Sequence, residues 1–225
     1  MKSLVQENEA NVYTTKSDIV HKVLKQKIID GELAMGESIN ITKIAAELNI
    51  SIIPVREGLK RLETEGLVEF FPHKGAQVKT FSSTKIKEIY DIRAVLEGLA
   101  AREAIAHLDP DKIEQLKVMN EQMRQYANEA DDERFGQANK DFHRFMYQNA
   151  QYPTLFDMIF NLWEGHWTKA IFAFHPERMH DAVAEHDAII QAIEAKDGVK
   201  TEQLVRAHKL KTAKLFETIS KETKG

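Results

Sequence analysis

The run from Ser51 to Val78, SIIPVREGLKRLETEGLVEFFPHKGAQV, constrains the fold more than any other, because it encodes one short helix followed at once by a tight hairpin. Ser51 suits an N-cap, and Pro54 falls in the first helical turn, where its missing N–H costs no internal hydrogen bond. Val55, Leu59 and Leu62 then form an apolar seam, with Arg56, Lys60 and Arg61 off it. Gly66 supplies the left-handed residue that ends the helix. Residues 67–71 (LVEFF) read as a strand, 72–75 (PHKG) as a turn and 76–78 (AQV) as the returning strand. A helix with exposed cations beside a hairpin with a basic tip suits docking in a DNA major groove, with phosphate contacts alongside.

The residues before this unit complete a DNA-binding arrangement. Residues 1–14 read as a poorly ordered arm. A helix is expected over 17–30, with Ile19, Val23 and Ile28 on its buried side, Val20 and Leu24 beside them, and Gly31 as its stop. After a polar turn over 31–38, Asn40 caps a second helix over 41–48, with Ile44, Ala45 and Leu48 facing inward. Helix, short helix, turn, helix and hairpin make a winged helix-turn-helix over 15–79. Its candidate DNA contacts are Thr42, Ser51, Arg56 and Lys60 from the helices and His73, Lys74 and Gly75 from the wing. A short polar linker over 80–84 leads to a region, 85–225, that is helical throughout. Six helices are expected there, over 83–106, 109–128, 131–149, 153–174, 176–196 and 200–220, with Pro110, Pro153 and Pro176 in opening turns. The fold class is mainly α, a winged helix-turn-helix followed by an all-α bundle.

Composition narrows the functional classes. The chain has no cysteine, which removes disulfides, zinc-thiolate sites and thiol nucleophiles together. Its formal net charge is -4, but residues 1–80 carry 11 Lys or Arg against 11 Asp or Glu, so the acidic excess lies in the second part. Affinity for DNA must therefore come from local clusters of cations. The first residues, with Glu7 and Glu9, do not read as a signal peptide, and no apolar run approaches a membrane span. A cytoplasmic protein is expected.

A set of polar residues spread over three of the bundle helices carries metal-binding potential. Asn139 and His143 are one helical turn apart, and His186 and His208 each sit in an amphipathic helix. Three imidazoles and one amide carbonyl would hold a divalent transition metal with positions left open. The chain has nine histidines, so spacing alone equally allows ordinary surface or hydrogen-bonded roles. Arg93 has two readings as well: an inward-facing clamp for a carboxylate, or an i,i+4 pair with Glu97.

The residues PVREGL, RLE, EGLV and PHKGA between Pro54 and Ala76 resemble the signature of the GntR family of bacterial transcription regulators. IRAVLEGLAAR, Phe142-His143, EHDAII and RAH resemble the FCD effector domain of its FadR-type branch. The resemblance implies a homodimer on a short palindromic double-stranded DNA operator, and a small carboxylate effector bound at a metal, zinc or nickel. It places Asn139, His143, His186 and His208 as metal ligands and Arg93 as an effector contact. The chain departs from the pattern at Ile52, where an arginine is usual, at Gly58, where alanine is usual, and at Asn139, where aspartate is commoner. The resulting reading is a ligand-responsive repressor without catalytic activity. Two alternatives remain: a sensor in which the ion is the signal, and a three-histidine metalloenzyme.

Overall fold

The structure, a computed structural model, describes residues 15–72, 74–80, 82–163 and 167–222. The predicted arm over 1–14, His73 and His166 lie outside the described residues. Helix α1 (Lys16–Ile29) opens with a capping box: Thr15 accepts from the Asp18 amide and the Asp18 side chain accepts from the Thr15 amide. Helix α2 (Ile41–Glu47) is capped by Asn40, which accepts from the Lys43 amide at 2.9 Å. Helix α3 (Ile52–Thr64) starts at Ser51, whose backbone is extended but whose hydroxyl makes no capping bond. Its far end closes in a Schellman turn, in which Gly66 at φ 80 allows Leu67 N–H to reach Leu62 O at 2.9 Å.

The wing has three strands. Strand β2 (Val68–Phe71) pairs antiparallel with β3 (Gly75–Val78), as the sequence pattern suggests, and β1 (Ser38–Ile39) pairs with the other edge of β3. β1 lies at the end of the stretch expected to be only a polar turn. Its two residues are too few for an alternation to show, and Ile39 enters the core opposite Ala76.

Val20, Leu24 and Ile28 of α1 pack against Val55, Leu59 and Leu62 of α3, all nearly inaccessible to solvent. The buried stripe of α1 is therefore turned from the predicted one: Ile19 is 47% exposed and Val23 only half-buried. The close approach of α3 sets this phase. At Gly58 a Cβ would lie 2.8 Å from Val20 Cγ1 and 3.0 Å from the His21 backbone nitrogen, so glycine is what permits the contact.

From Ser83 onward the described residues are helical apart from the joins. The elements are α4 (Ser83–Ala104), a 3-10 turn (Ile105–His107), α5 (Pro110–Asn128), α6 (Asp132–Gln148), α7 (Pro153–Leu162), α8 (Trp167–Phe174), α9 (Glu177–Glu194) and α10 (Gly198–Glu222). The single helix expected over 153–174 is thus two. The long α4 and α10 pair along their lengths, and α5, α6 and α9 pack beside them around Leu116, Met123, Phe135, Phe142 and Ile189. On α4 the usual pattern is inverted: Arg93 and Glu97 face inward, whereas Ile92 and Val95 are 44% and 48% exposed.

Gly58→Ala tests the α1–α3 contact. The substitution gains about 1 kcal/mol of helix propensity, but overpacking Val20 costs about 1–3 kcal/mol. A net loss on the order of 1 kcal/mol is expected, measured by urea denaturation.

Candidate functional site

The two groups of candidate residues lie in different places. On the winged unit Thr42, Ser51, Arg56, Lys60 and Lys74 are exposed, and Gly75 is partly so. Among the described residues Arg56 has no ion-pair partner, whereas Lys60 binds Glu63 at 2.8 Å and lies 4.8 Å from the centre of the Phe70 ring. Ile52 and Ile53 form an apolar leading edge of α3, 43% and 67% exposed. Such an edge can contact thymine methyl groups but cannot donate to guanine.

In the bundle, α6, α9 and α10 bring His143, His186 and His208 together. The ring centres are 5.0, 5.0 and 4.9 Å apart, and the facing ligand atoms all lie within 4.8 Å of one another. Asn139 is buried on α6 one turn before His143. All four side chains are almost fully shielded from solvent.

The outer hydrogen bonds assign each imidazole proton. Tyr147 gives its hydroxyl proton to Glu97 at 2.8 Å, so its oxygen accepts from His143 Nδ1 at 3.2 Å. Asn120 donates its amide hydrogens to Val183 O and Asp187, which leaves its carbonyl to accept from His186 Nδ1 at 3.2 Å. Glu185 accepts from His208 Nδ1 at 2.6 Å. Arg178 Nη2 also lies 3.1 Å from that nitrogen, but it has a charged acceptor in Glu185 at 2.6 Å, so both groups donate to the same carboxylate. The Nε2 lone pair of every ring is thereby left facing its neighbours.

That arrangement fits a metal ion. His143 Nε2 and His208 Nε2, two acceptors, stand 3.2 Å apart with no proton to share between them. Metal–nitrogen bonds of about 2.1 Å place neighbouring nitrogens about 3 Å apart. His186 Nε2 and Asn139 Oδ1 are buried without any hydrogen-bond partner among the described residues, a cost that a cation would relieve. The imidazoles are held well below their ordinary pKa, first by burial and then by the Lys209 ammonium, so they stay neutral and able to ligate.

Around the trio lies a buried charge network. Glu97 accepts from Arg93 Nε at 2.7 Å, Trp163 Nε1 at 3.0 Å and Tyr147, and pairs with Lys209 Nζ at 3.0 Å. Burial raises its carboxyl, but Arg93 and Lys209 outweigh that effect and hold it at about 2. The i,i+4 pair of Arg93 with Glu97 is thus present, on a side chain that faces inward. Burial lowers Lys209 to about 8, which leaves it largely charged at neutral pH. Sequence reasoning missed Asn120, Arg178, Lys209 and the orienting role of Glu185. Only Tyr147 left a signal, its four-residue spacing from His143.

A second group of possible ligands, His21, Glu65 and Glu133, lies where the winged unit meets the bundle. Its central carboxylate already has a cation, since Lys25 Nζ stands 2.9 Å from Glu65 Oε2.

Two outcomes test the network. Glu185→Gln should lower metal affinity about 10–100-fold, read by chelator competition, and should also lower thermal stability, because the buried Arg178 loses its charged partner. On chelator-treated protein, Glu97→Gln should cost about 3–5 kcal/mol at pH 7, because Arg93 and Lys209 lose their buried partner. The native carboxyl titrates below its ordinary value of 4.5. Its stabilisation is therefore complete above that value and is lost as pH falls towards about 2. The gap between wild type and variant in thermal melts should close over that window.

Comparison with known proteins bears on both regions. Residues 16–78 match the family described as bacterial regulatory proteins, gntR family, and residues 88–211 match the FCD domain. The "Probable D-xylose utilization operon transcriptional repressor" of Paenarthrobacter nicotinovorans is 30% identical over 195 residues, 87% of this chain and 86% of that protein. The "HTH-type transcriptional regulator McbR" of Escherichia coli (strain K12) is 28% identical over 181 residues, 79% of this chain and 82% of its own. A solved structure of "E. coli McbR/YncC" has the same fold, with a TM-score of 0.60 at 24% identity over 91% of this chain and 98% of the other. The families and relatives matched are transcription regulators rather than enzymes. The chain belongs to the GntR family of bacterial regulatory proteins, as a DNA-binding transcription regulator with a C-terminal FCD domain.

Proposed function

We propose that the chain is a cytoplasmic, homodimeric repressor that binds a short palindromic operator and responds to a small carboxylate at a metal centre in its bundle. Residues 15–79 form the DNA-binding domain, 80–84 the linker and 85–225 the effector-binding and dimerisation domain. The single observation that carries the ligand-responsive reading is the set of inward-facing, unprotonated nitrogens, with the orphaned Asn139 carbonyl one helical turn before His143.

Asn139, His143, His186 and His208 would hold zinc or nickel, which supplies open coordination positions for a carboxylate oxygen. Arg93 and Lys209 supply a positive field that reaches His143 and His208, and so favour an anion in the same buried neighbourhood. Glu97 fixes the Arg93 guanidinium, which also lies 4.7 Å from the Tyr90 ring centre and 5.8 Å from that of Trp163. A metalloenzyme would also need a general base, and Glu185, the carboxylate beside the trio, is committed to His208, Arg178 and Lys211.

On DNA, Arg56 is the cation best placed for base contact. Ile52 and Ile53 meet methyl groups, Thr42, Ser51 and Lys60 bind phosphates, and His73, Lys74 and Gly75 form the wing contact. Ile92 and Val95 on the outer face of α4 offer an apolar stripe for a second copy, whose two-fold symmetry would match a palindromic site.

Arg56→Ala should weaken binding to an operator duplex at least about tenfold, read by fluorescence anisotropy, with the dimer intact by light scattering. Lys60→Ala should lose less, because Glu63 already shares its charge. An Arg56→Ala protein that binds like wild type would overturn the docking of α3.

A further inference from the structure

Helix α6 joins the histidine cluster to the winged unit. Its middle carries Asn139 and His143, and its first turn carries Asp132 and Glu133. Lys25 Nζ on α1 donates to both Asp132 oxygens at 2.8 Å and stands 2.9 Å from Glu65 Oε2 at the end of α3. Arg61 on α3, paired with Asp18, reaches Glu133 at 3.8 Å. The Lys25 and Asp132 side chains are 15% and 20% exposed and that of Glu65 is 5% exposed, so solvent and salt screen this junction weakly. Along the helix the junction is roughly 10 Å from Asn139 and roughly 16 Å from His143, a distance that a continuous helix spans without a hinge.

We propose that α6 is a coupling rod between ligand and operator: the Lys25–Asp132 pair, backed by Arg61–Glu133, fastens the DNA-binding domain to the helix that supplies two metal ligands. The inference rests on the metal-centre and DNA-binding readings above. Asn139 and His143, holding a metal together with His186 and His208, would tie α6 to α9 and α10 and fix its position, and the latch would carry that position to α1 and α3. Cost follows from burial. Shifting α6 without the winged unit leaves Asp132 without its cation, and Lys25 with one carboxylate in place of two, where water hardly reaches, so the two move together. Differential stability of the latch between ion-loaded and ion-free protein is then the coupling free energy.

The test uses the full chain, zinc as the probe, and a duplex selected by the wild-type protein from a random pool. Asp132→Asn removes the charge on the bundle side while leaving the DNA-binding domain untouched, and Asp132→Glu restores it. In wild type, zinc should change duplex affinity at least about fivefold. In Asp132→Asn the change should fall below about twofold at unchanged zinc stoichiometry, and Asp132→Glu should recover most of it. An Asp132→Asn protein that keeps the wild-type ratio overturns the latch, as does a wild type that binds zinc and duplex with no coupling between them.

A second readout stands apart from the functional reading. The chain lacks cysteine, so spin labels can be placed only at Lys22→Cys on α1 and Met158→Cys on α7, both exposed positions. The distance distribution between them should broaden in Asp132→Asn, and an unchanged distribution overturns the latch. Failure of wild type to take up zinc, or to select any duplex, refutes the metal-centre or DNA-binding reading instead, and the label distances then decide the latch alone.

Discussion

The placement of three protons organises the bundle. Each imidazole of the trio gives its Nδ1 proton outward, to Tyr147, Asn120 or Glu185, and keeps an empty Nε2 inward. Those acceptors sit on α6, α5 and α9, and the carboxylate behind Tyr147 comes from α4. The remaining support comes from α10 through Lys209, so five helices are tied into one polar assembly surrounded by Phe135, Phe142 and Ile189. A buried polar network of this kind stabilises only when every member is satisfied. Here the three histidine ligand atoms lie within 4.8 Å of one another, which is the condition for a ligand site rather than for a plain core.

The winged unit solves a different problem, that of building a small core under an exposed helix. Its solution is the close packing of α1 on α3 at Gly58 and a third strand that covers the far edge of β3. The charged groups on the bundle side of this unit are not spare surface. Glu65 lies nearly buried between His21 and Lys25, its carboxyl raised by burial but held below its ordinary value by those two neighbours.

Much of this was legible in the chain. Gly66, Asn40 and the opening prolines set helix ends by local backbone chemistry, and the strand-like run and PHKG turn after Gly66 exposed the wing. The trio was singled out as candidate ligands by the family resemblance, since only Asn139 and His143 had informative spacing. The rest depended on distant pairings. Ile19 and Val20 are both apolar neighbours, and only the approach of α3 decides which is buried. Asn120 lies 66 residues from His186 and Glu185 lies 23 from His208, so no local pattern links them. For Arg93 periodicity pointed to the i,i+4 pair with Glu97, but not to its burial, which depends on helices far away in the chain.

The two-residue strand β1 has a wider consequence. It runs through Asn40 directly into α2 and bonds to the strand of the wing, so wing, α2 and α3 are clamped into one block. A reading head of this construction cannot be remoulded; it can only be carried. In the proposed dimer the signal to DNA is then a matter of phase: two rigid heads stay in step with the roughly 10-base-pair turn of the duplex or fall out of step with it.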